Sequence, residues 1–143
     1  MLVRLLYASR AAESVHADTL AAILKVSKEH NHAAGVTGVL CHCATSKIFM
    51  QVLEGGRGAV SALYNRIAQD PRHRDIVLLS YEEIGERSFS GWSMGQVSMS
   101  RLNPALLLKY SESAVLDPYS VSGKASLALF NELVATASVA APG

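Results

Sequence analysis

Neither sign of charge is in excess in this chain. Thirteen Lys and Arg stand against twelve Asp and Glu, a formal net charge of +1, and like charges nowhere form a run. The phosphate-neutralising surface of a nucleic-acid binder is therefore not evident, nor are the strand aromatics and basic sheet of an RNA-binding module. No stretch reaches the roughly 18 apolar residues of a membrane span. The opening "LVRLLYAS" reads as a strand rather than as a signal peptide. These absences give the expectation of a soluble, cytoplasmic protein with no nucleic-acid or membrane partner. Cysteine is confined to Cys41 and Cys43, which alternate with His42 in "LCHCA". Three alternating strand residues cannot surround a metal, so both thiols are read as small buried hydrophobes and no metal is expected. No Ser or Cys has a His at a motif-defined spacing, so an enzyme such as a small hydrolase is not expected; there is also no internal repeat.

What is present is a chain of 143 residues, half of them hydrophobic. That is enough to bury one core without disulfide or metal staples. Residues 2–8 read as a strand, and "HADTLAAILKVSKEHNH" as a helix closed by Gly35. "VTGVLCHCA" and "KIFMQVLEG" form two strands about the polar turn "TSK". "AVSALYNRIAQD" follows as a helix with Val60, Leu63, Tyr64 and Ile67 on its apolar stripe, stopping at Pro71. "IVLLSYEEI" is a fourth strand and "WSMGQVSM" holds a short fifth. This order predicts an α+β, ferredoxin-like βαββαβ fold with an additional fifth strand. Beyond about Leu102, two C-terminal helices are expected near 103–111 and 123–136. The division is thus a core over 1–98 and a helical extension over 99–143. The stripe of Leu127, Phe130 and Val134 on the last helix needs cover, from the free sheet face or from another subunit.

Several polar residues stand where a core should be. In "IFMQVLEG", alternation puts Phe49, Gln51 and Leu53 on one face and Ile48, Met50 and Val52 on the other, so Gln51 faces inward. A buried amide left unpaired costs about 1–3 kcal/mol. The first helix begins its stripe with Leu20, Ile23 and Leu24 and ends it with Ser27 and Asn31. Those two either mark a fraying helix end or meet a polar ligand between helix and sheet. Tyr7 on the first strand is ordinary core when taken alone. Ferredoxin-like topology places strand one beside strand three, however, which makes a Tyr7–Gln51 hydrogen bond plausible. In "RIAQDPRH", Arg66 and Asp70 are spaced to pair at i and i+4. Arg72 and His73 belong either to a solvated loop or to a phosphate site.

The pieces "RLLYAS", "SKEHNHAAGVTGVL", "FMQVLEG", "LYNRIAQDPRH" and "RSFSGWSM" stand in order over residues 4–94. Together they resemble BLUF domains, the blue-light sensors that use FAD. The resemblance implies that Tyr7 is the photochemical electron donor and Gln51 the hydrogen-bond relay between that phenol and the flavin. It places Asn31 at the polar edge of the ring with Ser27 near it, and Ile23 and Phe49 as apolar walls. Arg66, Asp70, Arg72 and His73 would serve the flavin edge, ribityl chain or phosphates. His30 would also stand at the site, at a position that is Asn in some members and His in others. Trp92 and Met94 match the family's "WxM", whose members differ over which side chain lies beside the flavin.

Gln suits the relay because its amide carries both a donor and an acceptor. Rotation or tautomerisation reverses the hydrogen bonds it offers. The resemblance further implies FAD, with FMN or riboflavin as alternatives, and a signal passing through the fifth strand to the C-terminal helices. The output expected is altered protein–protein contact in a homo-oligomer, a dimer or larger ring, or with an unidentified downstream protein. The competing readings are a small ferredoxin-like hydrolase using Arg66 or Arg72, and a flavin-free binding module.

Overall fold

A computed structural model describes residues 1–12, 17–43, 46–92, 95–98 and 103–136, the side chains of 17–24, 26, 96–98 and 136 excepted. The chain runs β1 (Leu2–Ala11), α1 (Ala17–Ala34), β2 (Thr37–Cys43), β3 (Ile48–Gly56), α2 (Arg57–Ala68), β4 (His73–Ile84), β5 (Gly95–Ser98), α3 (Pro104–Tyr110) and α4 (Gly123–Thr136). The sheet order is β4-β1-β3-β2-β5. β1 runs antiparallel to both β3 and β4, β3 antiparallel to β2, and β5 parallel to β2. This is the ferredoxin-like arrangement expected from the order of elements, with the fifth strand added at the β2 edge. Gly35 closes α1 in the left-handed region at φ 70°, a conformation that favours glycine.

Strand alternation divides the core between two faces. Leu5, Tyr7, Leu40 and Leu53 share one face with Val60 of α2, flanked by Phe49, Leu63, Tyr64 and Ile67. Leu6, Val39, Met50 and Val52 share the other with Leu129, Phe130 and Leu133 of α4. The stripe on the last helix is therefore buried on the chain's own sheet, and Phe130 is wholly inaccessible. Docking is close at the start of α4, where a Cβ on Gly123 would lie 1.6 Å from the Leu79 carbonyl oxygen. Only glycine lets the helix approach β4 in this way.

Three local expectations change. β4 starts at His73 rather than Ile76, because β1 extends to Ala11 and pairs with its first residues. α2 ends at Ala68, before Pro71 can act, with the Gln69 N–H bonded back to the Arg66 carbonyl at 3.3 Å and the Asp70 N–H to the Ile67 carbonyl at 3.1 Å. Trp92 was expected on the fifth strand but precedes it, held in a turn by its N–H bonded to the Phe89 carbonyl at 3.0 Å.

The far face also buries a charge that strand patterning did not reveal. Glu54 is fully inaccessible. Its carboxylate accepts from Arg4 Nε at 2.8 Å and from the backbone N–H groups of Ser88 at 3.0 Å and Phe89 at 2.7 Å. Such a charge is tolerated in an interior only when paired and hydrogen-bonded in this way.

Candidate functional site

The site begins with a register pair. Antiparallel pairing of β1 with β3 sets Tyr7 directly opposite Gln51. Both side chains are buried, at 4% and 6% exposure, and the Tyr7 hydroxyl donates to Gln51 Oε1. Burial, with Tyr64 and Asp70 nearby, pushes the Tyr7 phenol well above its ordinary pKa. Tyr7 therefore keeps its proton at any physiological pH and is the donor of the pair. The Gln51 carbonyl accepts, which assigns the NH2 as the amide's donor end.

The two residues open onto a cavity of about 130 Å³. Its apolar wall is built from Leu40 on β2, Phe49 on β3, and Leu63 and Ile67 on α2. Ser27 and Asn31 close it from α1. Asn31 is only 3% exposed, and α1 continues past it to Ala34. Of the two readings of that polar stripe end, the frayed helix is thus the one the structure does not support. Phe49 is held flat by His42, its register partner on β2, with ring centroids 4.6 Å apart and planes 29° apart.

The rim is polar. Asp70 and Arg72 line it, and Asp70 accepts from the Arg72 backbone N–H at 2.9 Å and from its Nε at 3.0 Å. Arg72 thereby replaces Arg66 as the partner expected for Asp70. The hydrogen bond from Arg72 holds the Asp70 carboxyl below its ordinary pKa, partly opposed by burial. His73 also lines the cavity, but its ring is engaged on both nitrogens. Nε2 meets the Ile67 carbonyl, and Nδ1 lies 2.9 Å from Ser9 Oγ. A carbonyl only accepts, so Nε2 carries a proton. His73 ties β4 to the end of α2 and shapes the cavity, while the Arg72 guanidinium stands at the rim.

Other expected site residues stand elsewhere. His30 and Arg66 are exposed on their helices and do not line the cavity. Trp92 packs on the opposite face of the sheet, its ring centroid 5.7 Å from that of Phe89. The reason is the turn at Phe89–Trp92, which takes Trp92 off the strand parity it was expected to share with Met94. Met94 and the Ile23 side chain lie outside the described residues. Leu40 and Ser9 were not foreseen as site residues. Leu40 reads as plain core in sequence, and Ser9 acts only through the pairing of β1 with β4. Cys41 and Cys43 are free and buried, as expected. Among the described residues there is no cluster able to hold a metal. No described helix is long and apolar enough to cross a membrane.

The donor set fits a flavin. Two buried amides, Gln51 and Asn31, face a slot walled by Leu40, Phe49, Leu63 and Ile67, as a planar ring with one polar edge requires. Sites for ligands of this size span about 300–1,000 Å³. The cavity formed by the described residues is smaller, about 130 Å³.

Comparison with known proteins agrees with this chemistry. The family described as "Sensors of blue-light using FAD" matches residues 2–95. Photoactivated adenylate cyclase subunit alpha of Euglena gracilis is 39% identical over 88 residues, covering 62% of this chain and 8% of that protein. The chain thus spans under a tenth of that relative's length. The photo-activated state of BlsA superposes with a TM-score of 0.84 at 30% identity, covering 100% of this chain and 99% of that one. The dark state of BlrB, a BLUF protein, gives 0.76 at 32% identity, covering 94% and 95%. The chain belongs to the BLUF family of flavin-binding blue-light sensors.

Proposed function

We propose that this chain senses blue light through the Tyr7–Gln51 pair and reports it by changing protein–protein contacts rather than by catalysing a reaction. The observation that carries the reading is the buried hydrogen bond from the Tyr7 phenol to the Gln51 amide at the wall of a cavity. Flavin, when bound, supplies absorption of blue light and an oxidising excited state. FAD is the form proposed, with Arg72 at the exposed rim as the group suited to phosphate or ribityl oxygens.

Within the chain, Asn31 and Ser27 orient the ring's polar edge, and Phe49, Leu40 and Ile67 exclude water from it. Tyr7 is the electron and proton source, raised in pKa and so fully protonated in the dark. Gln51 accepts that proton's hydrogen bond and presents its NH2 as a donor. Turning the amide over or shifting it to the imidic tautomer exchanges the two roles. With the electron and the proton both back on Tyr7, only this exchange of hydrogen bonds would distinguish the lit site from the dark one.

Residues 1–98 are proposed as the sensing unit and 99–143 as the output. Because α4 buries its stripe on the sheet, a homodimer or larger ring must use other surfaces, such as those carrying the exposed Leu108 and Val115. Light shifts such an assembly only if its contacts differ between the two states.

An absorption spectrum of the purified protein tests the reading. An oxidised-flavin spectrum that moves slightly to longer wavelength under blue light and recovers in the dark is expected. Flavin that bleaches irreversibly, or is indifferent to light, would rule the reading out.

A further inference from the structure

We infer that Glu54 is a positioning residue that carries a change at the Tyr7–Gln51 pair to the segment leading into β5. The inference rests on the photoreceptor reading and extends it to the far face of the sheet. Tyr7–Gln51 and Arg4–Glu54 are both register pairs of the same two strands, β1 and β3, three residues apart. They project to opposite faces, as the alternation of side chains requires. A shift of β3 against β1 that follows rearrangement of Gln51 must therefore also move the Glu54 carboxylate relative to Arg4.

That carboxylate holds something that can move. It accepts from the backbone N–H groups of Ser88 and Phe89, at 3.0 and 2.7 Å, in the segment between β4 and β5. Arg4 reinforces the grip by bonding Glu54 at 2.8 Å, Glu82 on β4 at 2.9 Å and Ser88 Oγ at 2.7 Å. Glu82 is itself the register partner of Arg4, so one guanidinium spans three adjacent strands.

Phe89 connects the clamp to the output elements. Its ring meets Phe130 of α4 at a centroid distance of 6.5 Å and nearly perpendicular planes, and meets Trp92 at 5.7 Å. Its carbonyl accepts from the Trp92 N–H, and the Trp92 carbonyl accepts from Gly38 on β2. Moving the Phe89 backbone therefore displaces both the side chain packed on α4 and the residue that leads into β5. A contiguous set of contacts becomes coupling only if it has two arrangements. The exchange of donor and acceptor at Gln51 supplies them.

Trp92 is the chain's single tryptophan, so its emission reports this segment alone. The test compares two signals in the full flavin-loaded chain under blue light, the flavin absorption shift and the change in Trp92 emission. The parent is expected to show both. Glu54→Gln keeps the shape of the side chain but removes its charge. It should retain the absorption shift while the Trp92 response falls about fivefold or more, within the range of measured couplings between sites. A merely stabilising role for Glu54 would lower the unfolding midpoint and leave the ratio of the two signals unchanged, which would overturn the inference. If Glu54→Gln does not load flavin, Arg4→Lys is read in the same way. Should neither variant load flavin, Glu54 only holds the fold and the inference fails. A parent without the absorption shift defeats the photoreceptor reading itself; a parent that has the shift but a silent Trp92 defeats only the coupling through Glu54.

Discussion

The two faces of this sheet carry different kinds of interior. On the α3/α4 face, Met50, Val52, Phe130 and Leu133 fill the space, each at most 1% exposed, and the buried Glu54 carboxylate is clamped by three donors. On the α1/α2 face, the same strands present Tyr7, Gln51 and Phe49 around a gap. One face is completed by the chain itself. The other leaves a space lined by a few convergent polar groups, the usual character of a ligand site.

Truncation should separate the two faces most sharply. Phe130→Ala removes a wholly buried ring from the filled face and should cost about 3–5 kcal/mol in urea unfolding. Phe49→Ala, beside the gap, should cost less than about 2 kcal/mol without flavin, because fewer contacts are lost. It should also weaken flavin retention. Equal costs would erase the distinction between the faces. Gly123→Ala comes next, placing a methyl against the Leu79 carbonyl. The expected loss is about 1–3 kcal/mol, with the light-induced absorption shift kept.

Smaller effects belong to the site itself. Tyr7→Phe removes the donor to Gln51 and should cost about 1 kcal/mol by the same unfolding assay. Arg72→Ala should change stability by about 1 kcal/mol or less, since the pair it makes is largely open to solvent. Its main effect should be released flavin, seen by filtration; undiminished occupancy would return Arg72 to the solvated-loop reading. The sign of the pH effect follows from Asp70, whose pKa is lowered by Arg72. Stability from that pair is present above the unfolded carboxylate pKa of about 4 and is lost as pH falls through the depressed folded value. Arg72→Ala should remove this part of the acid sensitivity, and an unchanged acid titration would show that the pair is inconsequential.

Much of this was legible in the chain because strand periodicity is local. Alternation turned Gln51 inward and the order of elements put β1 beside β3, which made a Tyr7–Gln51 contact plausible; the register that sets the two opposite each other is seen only in the fold. The α4 stripe likewise announced that it needed a partner, and the sheet face proved to be it. Other features depend on long-range geometry that no short window contains. Arg4, Glu54 and Ser88 come together from three distant segments, and Glu54 in "VLEG" looks like an ordinary charged strand end. Leu40 was hidden because a wall residue and a core residue are the same residue type. Trp92 was misplaced because parity along "WSM" presumes a strand already under way, whereas Trp92 is held by the turn from Phe89 and β5 begins at Gly95.

The central claim is that the Gln51 amide is the switch rather than a satisfied core polar group. The difference spectrum between lit and dark Gln51→Leu, with flavin bound, tests it most directly. Leucine fills similar space but can neither accept from Tyr7 nor donate. The account predicts that flavin is retained and that the reversible long-wavelength shift seen in the parent is absent. A Gln51→Leu protein that shifts and recovers like the parent would contradict it.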